Sequence, residues 1–442
     1  MIHYKPYPTY KDSGVEWLGE VPEGWGVLKV GALFEETNTR GGTKEDLLAV
    51  SQSHGIMPQN DYASLLDRRL SQSQSEDYSN YKCVGKGEFV YNKMRMWQGA
   101  IGFSLISGCV SPAYVTFKPK EKQVPFYWNA LFKTNGFLVE VNRRSQGICD
   151  DQNSCSFSRF REIYILVPPL SEQNAIQQFL QKETTRIDTL VLKKTRFIEL
   201  LKEKRQALIT HAVTKGLDPN VKMKDSGVEA VGKVPEHWDI QPLKSVVKLT
   251  KEMVGSLSKN FSLLSLTRRG IINRDTSENF GKFPESFDTY QIVRPGNFVL
   301  CLFDIDETPR TVGVSSLYGM ITGAYSVFLC ESNTYRNYLY YMLLHLDDVK
   351  GLKPYYTGLR KTIRPSKFLN IRFPFPPKEE AKKICEEIDT QTSRIDTLIG
   401  KIQHSIELLK DRRSALITAA VTGKIDVRGN CTNMPSDAVE VI

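Results

Sequence analysis

The chain of 442 residues has no run of roughly 18 uninterrupted apolar residues, so no membrane-spanning helix is expected. The stretch Met1-Ile2-His3-Tyr4-Lys5-Pro6 lacks the apolar core of a secretory signal, and the expected location is the cytoplasm. Histidine is scarce, six in all, and none lies near a motif-like nucleophile. Eight cysteines, at 83, 109, 149, 155, 301, 330, 385 and 431, form no C-x-x-C pair, and none stands beside a histidine at zinc-ligand spacing. They read as reduced, mostly buried thiols, and no metal site is expected.

Catalytic signatures are missing too. There is no H-E-x-x-H, and no G-x-G-x-x-G follows a strand. Gly227-Val228-Glu229-Ala230-Val231-Gly232-Lys233-Val234 comes close to a phosphate-binding loop. However, Val234 stands where the magnesium-binding hydroxyl belongs, and a second copy of the block has Glu20 in place of the lysine. A carboxylate there would repel phosphate, so the block is read as a structural turn. Val167-Pro168-Pro169-Leu170 and Phe375-Pro376-Pro377-Lys378 lack the leading amide or carboxylate of the Asn/Asp-Pro-Pro-aromatic motif of methyltransferases that act on amino groups. Two acidic pairs, Asp150-Asp151 and Asp304 with Asp306, do not define a metal site by themselves. Loop solvation or contact with bases is the preferred reading for both.

What is present is repetition. The segment from Lys11 to Trp25 returns from Lys224 to Trp238, with 11 of 15 positions identical at an offset of 213. Arg186-Ile187-Asp188-Thr189-Leu190 returns as Arg394-Ile395-Asp396-Thr397-Leu398, now at an offset of 208. Glu199-Leu200-Leu201-Lys202 and Ala207-Leu208-Ile209-Thr210 recur in the same register. Between these blocks only a skeleton of glycines and apolar residues survives, such as Gly87, Phe89 and Val90 against Gly296, Phe298 and Val299. The polar residues between them differ, as expected of one scaffold presenting two surfaces.

Ile176, Leu180, Ile187, Leu190, Phe197, Leu201 and Leu208 fill seven of ten positions spaced by alternating steps of three and four. Ile384, Ile388, Ile395, Leu398, Ile402, Leu409 and Leu416 do the same in the second copy. That period predicts two coiled-coil seams. Pro168-Pro169 and Pro376-Pro377 mark the helix starts, and Gly216 and Gly423 the stops. Each helix could pack on its own domain or on another chain. Two matching seams in one chain favour an internal pair, which if antiparallel sets the variable domains at opposite ends of a rod. The variable stretches, 26–167 and 239–375, show short strand-like runs, with helix candidates at Phe126 to Phe132 and Tyr335 to Leu346.

The formal net charge of +9 suits a polyanionic partner. Candidate DNA contacts in the first domain are Lys93, Arg95, Trp97 and Gln98, with Arg143, Arg144 and Gln146. In the second they are Arg268, Arg269, Arg274, Arg310, Lys353, Tyr355, Tyr356, Arg360, Lys361 and Arg364. Arginine can grip guanine bidentately and glutamine adenine, while lysine mostly meets phosphate. The bland alternative is a solvated basic surface over core aromatics; as a set, the clusters favour DNA.

The paired Lys-Asp-Ser-Gly-Val-Glu…Val-Pro-Glu blocks, the Pro-Pro starts with Ile-Asp-Thr-Leu helices, and the Ala-Leu-Ile-Thr ends together resemble the specificity subunits of type I restriction–modification systems. The run Gly87 to Trp97 resembles the family's target recognition domain. The second domain departs from it, with Leu300-Cys301-Leu302-Phe303-Asp304 where the first has Tyr91-Asn92-Lys93-Met94-Arg95. The resemblance implies an α+β protein with a pseudo-twofold internal repeat. Two mixed α/β target recognition domains (1–167 and 222–375) would be joined by spacer helices (168–221 and 376–429) pairing as an antiparallel coiled coil, with a tail at 430–442. It further implies a non-catalytic subunit that reads a bipartite site in double-stranded DNA and docks two modification (M) subunits and the restriction (R) subunits. S-adenosylmethionine, ATP and magnesium would sit on those partners, with none on this chain. A coiled-coil mechanical ATPase and a scaffold that reads no DNA are the rival readings; the broken phosphate loop speaks against the first.

Overall fold

Each Pro-Pro pair does start a long helix. The first runs Leu170–Lys215 and the second Lys378–Val421, 46 and 44 residues, or about 65–70 Å each. The proline carbonyls take part in the first turns: Pro169 accepts from the amide of Glu172 at 2.9 Å, and Pro377 from that of Ala381 at 2.8 Å. The computed structural model describes residues 4–44, 46–52, 54–66, 77–147, 153–274, 286–305, 307–308 and 310–430. Cys149, Cys431, Asp150, Asp151, Asp306 and the tail 431–442 lie outside the described residues. Among the described residues no helix is long and apolar enough to cross a membrane.

The helices end as their glycines require. Gly216 and Gly423 adopt φ of +74° and +68°, the left-handed conformation that closes a helix and that a side chain disfavours. The two sites differ in crowding. A Cβ on Gly423 would meet the Pro22 ring at 2.5 Å, whereas one on Gly216 would meet nothing nearer than Glu380 at 3.2 Å. Gly423→Ala is therefore expected to destabilise the protein more than Gly216→Ala. The left-handed backbone alone costs roughly 1–3 kcal/mol at either site. Urea midpoints of the two variants check the order; equal losses would show that the proline contact relaxes freely.

The chain divides into two compact units, Met1–Lys193 with Ser405–Ile442, and Lys194–His404. The division falls inside both helices, not at their ends. In the first unit a four-stranded antiparallel sheet runs in the order Phe34–Thr37, Tyr114–Pro119, Phe89–Asn92, Ile101–Phe103. Phe34, Phe89, Phe117 and Phe132 fill its inner face, with Phe89 and Phe117 stacked at 5.2 Å. The second unit repeats this sheet as Val247–Thr250, Ser326–Cys330, Phe298–Leu300, Val312–Val314. The expected helices are present at Pro125–Phe132 and Asn333–Asp348.

Each unit takes the start of one helix and the end of the other. In the first, the Tyr127 hydroxyl donates to the carbonyls of Leu166, before the first helix, and Val421, at the end of the second, both at 3.2 Å. Arg413 donates to Asp188 at 3.0 Å further along, so the two segments run antiparallel. In the second unit Tyr338 joins Pro374 (3.0 Å) to Val213 (3.2 Å), and Arg205 pairs with Asp396 at 3.3 Å. Residues 188 and 396, like 205 and 413, stand 208 apart, so this is one ion pair written twice.

The seam departs from its strict 3.5-residue spelling. Leu190 and Leu398 are 39% and 40% exposed and Phe197 47%, while Val191 and Ile399 turn inward and Ile198 is buried. A straight α-helix drifts about 20° per heptad against that period, and here the slip appears as one extra step of four after Ile187 and Ile395. Leu208 and Leu409 are half-buried; Ile176, Leu180, Ile187, Leu201, Ile384, Ile388, Ile395, Ile402 and Leu416 are buried.

The duplicated blocks fold as hairpins, Tyr10–Asp12 with Glu20–Pro22 and Met223–Asp225 with Lys233–Pro235. The segment resembling a phosphate loop is the turn of the second, with Gly227 and Gly232 both left-handed and the Gly227 amide bound by Asp225 at 2.8 Å. Past each hairpin a tryptophan seals the helix start. Trp25 donates to Glu172 at 2.9 Å and Trp238 to Glu380 at 3.1 Å, each acid lying in a first turn where the helix dipole favours it.

Candidate nucleic-acid interface

In the first domain, strand Phe89–Asn92 runs into a tight turn ending in the short 3-10 helix Met96–Gln98. Met96 is wholly buried and pins the turn, while Arg95 and Gln98 stay exposed. Trp97 is half-buried, its indole nitrogen donating to the Met94 carbonyl at 3.0 Å. Facing the turn is a hairpin, Leu48–Ser51 with Gly55–Pro58. Its Gln52 donates to the Gln98 side chain at 3.0 Å and accepts from Lys133 at 3.3 Å through its carbonyl. Burial lowers the pKa of that lysine. A cleft of about 750 Å³ opens between turn and hairpin, lined among others by Ser51, Gln52, Gln59, Asn92 and Arg95. One guanidinium and several amides thus line one cleft, a donor and acceptor set suited to base edges. Lys93 lies on the same turn, half-buried, its carbonyl bound by the Cys155 amide at 3.0 Å.

Arg143 and Arg144 have other engagements. Arg144 binds the buried Glu140 at 2.7 Å, and Arg143 reaches Glu16 of the duplicated hairpin at 3.3 Å and Glu140 at 3.6 Å. They tie the helix Asn135–Arg144 to the hairpin turn. Gln146 is exposed and bridged through its backbone to Ser154.

The second domain presents the same parts with different chemistry. Its hairpin, Leu264–Thr267 with Gly270–Asn273, carries Arg268 and Arg269, both exposed, at the turn. Both hairpins lie close on the sheet because a glycine sits beneath them. A Cβ on Gly102 would meet Ile56 at 3.1 Å, and one on Gly313 would meet Leu266 at 2.7 Å. Arg274 follows, exposed, its amide donating to Leu263 at 2.8 Å. Where the first domain has its Arg95 turn, the second buries Cys301 and Leu302.

Arg310 is inward-looking, paired with Asp347 at 3.4 Å and Asp348 at 3.7 Å. Tyr355 and Tyr356 are half-buried against the core of the unit, and burial raises the Tyr355 pKa. Lys353 and Arg364 are exposed, and Arg360 and Lys361 belong to a small hairpin closed by Thr357 and Thr362. The structure thus gathers Arg95 and Asn92 around one cleft, with Gln98 held beside it by Gln52, and Arg360 and Lys361 on one loop. It sets Arg143, Arg144 and Arg310 in ion pairs.

Sequence reasoning missed Gln52. Its only signal was the apolar run Leu48-Ala49-Val50 broken by Ser51 and followed by Gly55, a hairpin spelling that aligns with Arg268 and Arg269 once both hairpins are seen.

Six cysteines are described and all carry free thiols. Burial pushes Cys109 and Cys155 up to about 11 and Cys385 up to about 12, so these stay protonated and poorly nucleophilic at neutral pH. Among the described residues no group of three or more histidines, cysteines or acids is placed to hold a metal.

No family model matches the chain. It is 23% identical over 442 residues to the type I restriction enzyme MjaVIII specificity subunit of Methanocaldococcus jannaschii, covering 92% of this chain and 94% of that one. In fold it is similar to a chain of a type I restriction–modification system solved for its complex assembly and conformational transition. The TM-score is 0.65 at 14% identity, covering 92% of this chain and 99% of the other. It is also similar to the HsdS subunit from Thermoanaerobacter tengcongensis, with TM-score 0.53 at 15% identity and coverage of 92% and 98%.

Proposed function

We propose, for a chain that belongs to the family of type I restriction enzyme specificity subunits, that it reads a split site in double-stranded DNA and performs no chemistry itself. Each target recognition domain, 1–167 and 222–375, reads one half of an asymmetric bipartite site. The spacer helices, 168–221 and 376–429, set the separation of the halves and dock two M subunits and the R subunits. S-adenosylmethionine, ATP and magnesium belong to those partners, and the assembly works in the cytoplasm. Methyl transfer to a base in a duplex requires that base to be flipped out, a task for the partner enzyme that this subunit aims.

The observation that carries this reading is one scaffold built twice with two different reading edges. The first hairpin and turn carry Gln52, Arg95 and Gln98; the second hairpin carries Arg268 and Arg269. A shared framework with unlike base-reading side chains recognises two unlike half-sites. The decisive experiment compares methylomes of a strain with and without the gene. One bipartite motif should lose methylation on deletion and regain it on complementation. Methyl transfer by the purified chain alone with S-adenosylmethionine, free of partner enzyme, would overturn the assignment.

Replacing Arg95 and Gln98 together by alanine should weaken recognition of the first half-site only, by about 1–3 kcal/mol for each base-edge pair lost. Competition binding against duplexes altered in one half at a time measures it. An unchanged preference would return both residues to solvated surface.

A further inference from the structure

Among the described residues Leu359 is the most exposed large apolar side chain, 104% exposed against 71% for the next, Leu192. A single exposed leucine is ordinary on a protein surface. This one sits at the tip of a loop held rigid from both sides. Thr357 and Thr362 exchange backbone hydrogen bonds at 3.0 and 3.1 Å, and the Thr357 hydroxyl adds a third to the Thr362 carbonyl at 2.9 Å. Inside that bracket the Lys361 amide donates to Gly358 at 3.1 Å, and Gly358 and Lys361 are left-handed at φ +72° and +45°. The loop is also moored to its neighbour, because the Asp304 amide donates to the Arg360 carbonyl at 3.0 Å and the Ile363 amide to Leu302 at 2.8 Å. Fixed loops of this size usually carry glycine, asparagine or aspartate at the tip. Here the tip is apolar and its surroundings are cationic, with Arg360 next to it, Lys361 beyond, and Arg364 exposed just after the hairpin.

We infer that Leu359 is a wedge that enters between two stacked base pairs of the second half-site while the cations beside it hold the flanking phosphates. An apolar side chain gains by leaving water, and the base step supplies an apolar slot once it is opened. Because the loop is held by backbone hydrogen bonds, little ordering is lost on insertion. Phosphate contacts from Arg360 and Arg364, which follow it in the chain, fix where the wedge enters. The wedge reads no base edge; it favours steps that unstack readily, adding indirect readout to the direct contacts proposed for Arg268 and Arg269. The inference rests on the DNA-reading assignment above.

The test uses the full chain assembled with its partner methyltransferase, on duplexes carrying the methylated motif and 2-aminopurine at single positions through the second half-site, away from the methylated adenine. Wild type should raise fluorescence severalfold at one step, where the neighbouring bases have been parted. Leu359→Ala and Leu359→Ser should return that signal to the level of free duplex, with Leu359→Met keeping it, while all three still bind the motif in preference to other DNA. If wild type binds the motif but no step away from the methylated adenine brightens, or if Leu359→Ala brightens the same step as wild type, the wedge is wrong. Loss of methyltransferase assembly in Leu359→Ala with the fluorescent step intact would make Leu359 a protein contact and overturn it equally. Failure of the wild-type assembly to prefer any duplex would instead overturn the DNA-reading assignment itself.

Discussion

Exchanging residues 26–167 for the same segment of another specificity subunit is expected to change one half of the methylated motif completely and leave the other half untouched. The segment holds the reading turn, the hairpin with Gln52 and the whole four-stranded sheet, so every side chain proposed to touch the first half-site travels with it. What stays behind is the frame: the duplicated hairpin from Tyr10, the helix start at Leu170 and the helix end at Val421. The exchange succeeds only if the incoming domain supplies a hydroxyl where Tyr127 spans the Leu166 and Val421 carbonyls, since burying those acceptors unmet costs about 1–3 kcal/mol each. Methylome sequencing gives the answer directly. A motif altered in both halves would mean that the two domains do not read independently.

Removal of the Asp347 carboxylate should be the most damaging single change in the second unit. Its side chain is 2% exposed and collects the Thr311 amide at 3.1 Å, the Thr311 hydroxyl at 2.8 Å, Arg310 at 3.4 Å and Lys350 at 3.2 Å. Lys350 in turn donates to the carbonyls of Ile305 and Thr308, each at 3.2 Å. Asp347→Ala takes the shared carboxylate from two partly buried cations, leaving Arg310 only Asp348 and Lys350 only its two carbonyls, and strands the buried Thr311 amide; breaking a fully buried pair from one side costs about 3–5 kcal/mol, an upper bound here. Asp347→Asn keeps an acceptor for Thr311 and should recover part of the loss. Denaturant unfolding of the three proteins measures the order. A loss in the alanine variant no larger than that of a surface substitution would mean that water reaches Arg310 and Lys350. The change also removes the tie at Thr311, close in sequence to Asp304, whose amide moors the hairpin that carries Leu359. Hydrogen exchange at Asp304 and Thr311 should quicken first.

The parts of the molecule that were legible in the sequence are those where a local rule and a long-range contact agree. The Pro-Pro starts, the Gly216 and Gly423 stops and the apolar repeat between them each state a helix, and the repeat states that it needs a partner. Leu190 and Leu398 misled because a strict 3.5-residue period takes no account of the pitch of a real helix, which brings Val191 and Ile399 to the contact. Charge was legible and its engagement was not. Arg310 looks the same in sequence whether it meets a phosphate or an aspartate 37 positions away, and only the fold brings Asp347 beneath it. The same holds for Arg143 and Arg144 over Glu140, though that acid is three or four residues off on one helix face, a spacing that could have been read. Gln52 was hidden because the two hairpins share shape without sharing residues.

The lacing at the two helix ends bears on how such a chain can be rearranged. The Tyr10 hydroxyl donates to Gly423 at 2.9 Å, Lys424 to the Glu20 carbonyl at 3.0 Å, and the Asp426 amide to Lys5 at 2.8 Å. The second helix therefore hands over to the first duplicated hairpin through space, much as the first helix hands over to the second hairpin through the peptide chain, where Lys215 donates to Lys233 at 2.6 Å. Cutting the connection between Gly216 and Lys222 and sewing the region after Asp426 to that before Lys5 would keep every one of these bonds except those of the cut itself. The order in which the two halves are translated is thus a matter of genetic history, because the end of the second helix already meets the first hairpin as the end of the first helix meets the second.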